Sequence, residues 1–142
     1  MGGTVNHCPG SGRRILVIDD DDLVRETVRS ILESAGFQVV GAADGRQGTR
    51  LYRSDPVDLV ITDILMPVME GFETIRELRK IDANAKIIAV SGGGRTSATD
   101  FLGMAKKLGA DRVIAKPFRP ADLIDAVLAV LGEGTPTTLT QT

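Results

Sequence analysis

The chain has 142 residues, 42% of them hydrophobic and 25% charged, with a formal net charge of -2. That length suits one domain able to bury an adequate core, and a near-neutral charge without a basic stripe leaves no electrostatic case for nucleic acid. No apolar run is long enough to cross a bilayer, the first residues lack the apolar core of a signal peptide, and the single Cys8 cannot form an internal disulfide, so a cytoplasmic setting is expected.

Residues 1–12 read as a disordered tail, where His7 beside Cys8 lacks the second ligand pair that a metal site needs. A strand is expected over Arg14–Ile18, followed by the acidic run Asp19-Asp20-Asp21-Asp22. A helix over 23–35 then sets Val24, Val28, Ile31, Leu32 and Ala35 on one face. Asp21 and Asp22 are placed at its opening as capping residues, and Gly36 at its stop. Gln38–Ala42 reads as a second strand, and 45–53 as a weaker helix resting on Leu51 and Tyr52 until Asp55-Pro56 breaks it.

Residues 59–62 form a strand of unbroken apolar character, expected to be buried on both faces. Pro67 marks a loop before a helix over 71–80, with Phe72, Ile75 and Leu78 inward. A fourth strand over 86–90 ends at Ser91 and Gly92-Gly93-Gly94, and a fourth helix spans 97–108. No Gly-Lys-Ser/Thr follows those glycines, so they read as a mobile connection rather than a phosphate loop. Arg112–Ala115 is the fifth strand, and a last helix opens at Pro120, a favoured first-turn residue. It buries Leu123, Ile124, Val127, Leu128 and Leu131.

Strands alternating with helices predict an α/β fold on a parallel sheet. Five strands and five helices occupy one domain over 13–131, and 132–142 is a polar tail or the start of a linker. In a parallel sheet the carboxyl ends of the strands open on one edge. Asp19 and Asp20 close the first strand, Asp63 the third, and Lys116 the fifth. Three carboxylates brought together repel unless a cation neutralises them, and hard oxygen ligands suit Mg²⁺. An aspartate after a strand is commonly just a cap or turn residue, but capping does not explain Lys116.

The order Val17-Ile18-Asp19-Asp20, then Thr62-Asp63-Ile64-Leu65-Met66-Pro67 with Gly71, then Ser91-Gly92, then Lys116-Pro117-Phe118 resembles the receiver domain of two-component response regulators. The resemblance spans about residues 13–131. It implies a doubly wound, flavodoxin-like sheet of order 2-1-3-4-5 with helices on both faces. Asp63 would be the phosphoacceptor, and Mg²⁺ would be held by Asp19, Asp20, Asp63 and the backbone carbonyl of Leu65. Lys116 and Ser91 would contact phosphoryl oxygens, and the Lys116-Pro117 bond would be cis, aiming the lysine inward.

The same resemblance implies a switch that catalyses only its own phosphorylation and dephosphorylation. The phosphoryl group would come from a sensor histidine kinase or phosphotransfer protein. A downstream protein would bind through the fourth helix, fifth strand and fifth helix. Neither nucleic acid nor membrane is an expected partner, and no output domain is expected in this chain. The protein is expected to be a monomer, with dimerisation on phosphorylation left open.

Three positions depart from the family pattern. Val113 stands where an aromatic or histidine usually swings inward, which predicts a weaker or differently routed switch. Leu65 and Gly93 stand two residues past Asp63 and Ser91, where neither can orient a hydrolytic water through a polar group. Two other classes fit less well. A phosphohydrolase using Asp63 as nucleophile would want a second aspartate where Leu65 stands. A flavodoxin-like cofactor binder would want hydroxyls where Asp19 to Asp22 repel phosphate.

Overall fold

The structure, a computed structural model, describes residues 13–63, 70–91 and 109–132. The elements run β1 (Arg14–Ile18), α1 (Asp22–Ser34), β2 (Gln38–Ala42), α2 (Gly45–Ser54), β3 (Leu59–Asp63), α3 (Glu70–Ile81), β4 (Ile87–Ser91), β5 (Arg112–Ala115) and α4 (Pro120–Leu131). All neighbouring strands pair in parallel, in the order β2-β1-β3-β4-β5. The expected sheet is therefore the observed one, with element ends shifted by a residue or so. The helix expected over 97–108, the residues around Pro67 and both tails lie outside the described residues.

Strand periodicity divides the core into two layers. Successive side chains point to opposite faces, so Leu16 and Ile18 of β1 join Tyr52 of α2 and Ile75 and Leu78 of α3. Ile15 and Val17 join Val28 and Leu32 of α1 and Leu123, Val127 and Leu131 of α4 on the other face. β3 sits between β1 and β4 and is buried throughout, as its unbroken apolar run requires. Each wholly buried Leu or Ile contributes roughly 1.5–3 kcal/mol of transfer free energy.

The helix starts follow local chemistry. Asp21 caps α1, its carboxylate accepting from the Leu23 and Val24 N–H groups at 2.9 and 3.3 Å. Asp44 caps α2 by accepting from Gln47 N–H at 2.8 Å. At α4 Pro120 opens the helix while Asp122 accepts from the Arg119 N–H at 3.1 Å.

One packing feature had no periodic signal. Gly48, in the middle of α2, is buried, and a Cβ there would lie 2.3 Å from Ile18 Cδ1. The missing side chain lets α2 lie directly on β1, immediately before its acidic end.

Candidate functional site

Register brings the strand ends to one edge. Ile18 pairs with Ala42 on one side and Thr62 on the other, while Asp63 pairs with Val90. Asp19 continues the line of β1, donating its N–H to the Ala42 carbonyl at 3.1 Å. Asp19 and Asp63 are only 4% and 7% exposed, whereas Asp20, one residue further out, is exposed. Carboxylate oxygens of the three all lie within 4.8 Å of one another.

Lys116 follows β5 and enters the same cluster. Its Nζ lies 3.4 Å from Asp63 Oδ2 and 3.6 Å from Asp19 Oδ2, and the Lys116-Pro117 bond is cis. Among the described residues, three carboxylates face one ammonium in this cluster. Burial is the main influence pushing the Asp19 carboxyl above its ordinary range. The Asp21 N–H opposes it, Asp63 adds to it, Lys116 lowers it and Asp20 raises it again. An all-oxygen donor set in which carboxylates outnumber the ammonium among the described residues fits a hard divalent cation such as Mg²⁺. Among the described residues this is the one cluster of three or more acidic, His or Cys side chains so arranged.

The residues around these groups hold them in place. The Asp21 N–H donates to Asp19 Oδ1 at 2.9 Å, so the residue that caps α1 also orients a carboxylate of the cluster. Arg25 donates through Nη1 to the backbone carbonyl of Asp19 at 2.7 Å and pairs through Nη2 with Asp22. Sequence reasoning missed Arg25. Its only signal was an arginine six residues after Asp19 on a helix just beginning, and that spacing has no period of its own.

Of the other expected site residues, Ser91 ends β4 beside Ala115 of β5, which places its backbone on the same edge. Its side chain and the whole of Leu65 and Gly93 lie outside the described residues. Val113 is partly buried and packs on the Leu16–Ile18 side of the sheet, so this position is filled by a short aliphatic group.

The family profile for the response regulator receiver domain matches residues 15–128. The chemotaxis protein CheY of Thermotoga maritima is 38% identical over 117 residues, which cover 82% of this chain and 95% of that protein. CheY of Bacillus subtilis is 37% identical over 115 residues, covering 80% and 93%. A receiver domain protein from Clostridium thermocellum superposes with a TM-score of 0.77 at 31% identity, over 84% of this chain and 94% of that one. Fold, strand-end chemistry and these likenesses agree, and the chain belongs to the response regulator receiver domain family of two-component signalling.

Proposed function

We propose that the domain over 13–131 is a phosphorylation switch whose acceptor is Asp63. The reading is carried by one observation: three carboxylates converge on the sheet edge with the Lys116 ammonium 3.4 Å from Asp63. An Asp63 carboxylate oxygen attacks the phosphorus of a phosphohistidine or a small phosphodonor. An O–P bond forms as the bond to the leaving imidazole or donor group breaks, giving an acyl phosphate. Asp19, Asp20, Asp63 and the backbone carbonyl of Leu65 would hold Mg²⁺, which would act there as a Lewis acid neutralising phosphoryl charge.

Lys116 then exchanges its contact with the Asp63 carboxylate for one with a phosphoryl oxygen, to which it is a point charge. The Ser91 hydroxyl donates to another oxygen. The donor is a sensor histidine kinase or phosphotransfer protein. The changed edge is read by a downstream protein on the segment 97–108, β5 and α4. The unphosphorylated form is a monomer in the cytoplasm. No helix among the described residues is long and apolar enough to cross a membrane.

Intact mass after incubation with a small phosphodonor tests the assignment. The expected result is a gain of one phosphoryl group with Mg²⁺, absent without the metal and absent in Asp63→Ala. A gain that survives in Asp63→Ala would move the acceptor elsewhere. No gain in the wild type, with either a small donor or a histidine kinase, would overturn the switch chemistry.

A further inference from the structure

We propose that Arg25 is a positioning residue for the acidic site, acting by clamping the peptide that joins Asp19 to Asp20. This rests on the reading of Asp19, Asp20 and Asp63 as a divalent-cation site.

Asp19 lies just past Ile18, the last residue of β1 in register with β2 and β3. Its N–H is held by Ala42, and its carboxylate by the Asp21 N–H. Its carbonyl accepts from Arg25 Nη1 at 2.7 Å. Because the peptide unit is planar, fixing that oxygen also fixes the N–H of Asp20 and the plane from which its Cα departs. Asp20 is the exposed carboxylate of the three, and without this tie its backbone would be the loosest of them.

The guanidinium itself is well held. Its second nitrogen pairs with Asp22 in the first turn of α1. Its stem lies over β2 at Gly41, where an added Cβ would sit 3.3 Å from Arg25 Cδ. The Arg25 side chain is 17% exposed and Asp22 is 85% exposed, so the tie to the Asp19 carbonyl is a part-buried, charge-assisted contact while the Asp22 pair lies at the surface. A rigid fork that grips a carbonyl and a carboxylate together is a task for arginine and not for lysine.

The sign of one measurement separates positioning from plain electrostatics. Arg25 brings positive charge close to the site. Were charge its only influence, Arg25→Met would strengthen Mg²⁺ binding. Positioning predicts the reverse, because groups that orient metal ligands typically cost about 10–100-fold in metal affinity when removed.

The experiment titrates Mg²⁺ into the phosphate-free protein, read by backbone amide shifts, in wild type, Arg25→Met and Arg25→Lys. The expected result is a dissociation constant raised about tenfold or more in Arg25→Met. Arg25→Lys keeps the charge and loses the fork, and is expected to fall between Arg25→Met and wild type. It also serves if the methionine variant does not fold. An unchanged or tighter constant in Arg25→Met, or an unchanged one in Arg25→Lys, would overturn the role of Arg25 alone. Absence of Mg²⁺ binding in the wild type would overturn the cation site itself, and the role of Arg25 with it.

Discussion

Replacing Asp19 by Asn is expected to make the metal-free domain more stable, although Asp19 is buried and surrounded by partners. The substitution keeps the shape and keeps an oxygen to accept from the Asp21 N–H, now at 2.9 Å. It removes one negative charge. At an effective dielectric of about 20, the Asp63 carboxylate within 4.8 Å repels Asp19 by at least about 3.5 kcal/mol. The Lys116 ammonium at 3.6 Å attracts it by about 4.6 kcal/mol. Asp20 is exposed, and solvent reduces its repulsion to roughly 1 kcal/mol.

The repulsions roughly match the attraction, which leaves the burial of the charge, opposed by the Asp21 N–H hydrogen bond, to decide the outcome. Burial is also the largest influence raising the Asp19 carboxyl. A neutral amide in the same place costs less to bury, and the expected gain is about 1–2 kcal/mol at pH 7. For a domain of this size that is a rise in Tm of about 5 °C.

The pH dependence follows from the direction of the shift. The folded state holds the Asp19 proton more tightly than the unfolded chain, whose carboxyl keeps the ordinary value of 3.8. Below that value both states are protonated and the cost is absent. As pH rises from 3.8 through the raised folded value the wild type loses stability, and the loss is complete once the folded carboxyl has ionised. The advantage of Asp19→Asn therefore narrows as pH falls toward 3.8. Thermal unfolding followed by circular dichroism, with chelator present, measures both effects.

Mg²⁺ inverts the order on the proposed reading. A ligand bound only by the folded state adds about 2.7 kcal/mol at a hundredfold excess over its Kd, and the variant has lost a ligand. A lower Tm for Asp19→Asn than for wild type at pH 7 without metal would refute the reasoning. It would mean that the charge-assisted contacts to Lys116 and Asp21 outweigh burial.

Two further predictions concern groups away from this edge. Tyr52 is the single tyrosine of the chain; it is buried, donates to Asp82 Oδ2 at 2.9 Å, and has its phenol pushed up to about 12, mainly by burial. Ultraviolet titration of the folded protein should show no phenolate signal near the ordinary value of 10.0, and stability should fall as pH rises from 10 toward 12; ionisation near pH 10 in the folded state would contradict the burial. Arg79 donates to the carbonyls of Ala83, Ala85 and Gly109 and pairs with Asp111, tying the end of α3 to the strands beyond it. Arg79→Met should cost about 2–3 kcal/mol in urea unfolding, with the mass gain on phosphodonor treatment unchanged; a loss below about 0.5 kcal/mol would show that water replaces the arginine freely.

Much of the fold was legible in local patterns. Arg14–Ile18, Gln38–Ala42 and Arg112–Ala115 are strands with the bounds that their β-branched runs suggest. Asp21 and Pro120 sit where capping and first-turn preferences put them, because those preferences act within a few residues. The four residues Asp19, Asp20, Asp63 and Lys116 could be named as neighbours from their places at strand ends, since a parallel sheet opens all such ends on one edge.

The sequence by itself thus determined the alternation of elements, the caps and the list of strand-end residues, all of which depend on spacing along the chain. Only the tertiary structure decided that Asp19 is buried while Asp20, its neighbour in the same acidic run, is exposed. It also decided that Arg25 turns back to the Asp19 carbonyl, that Gly48 admits α2 onto Ile18, and that Arg79 reaches Gly109 thirty residues on. Each of these depends on where separate elements meet in space, and side-chain period along one element carries no record of what packs against it.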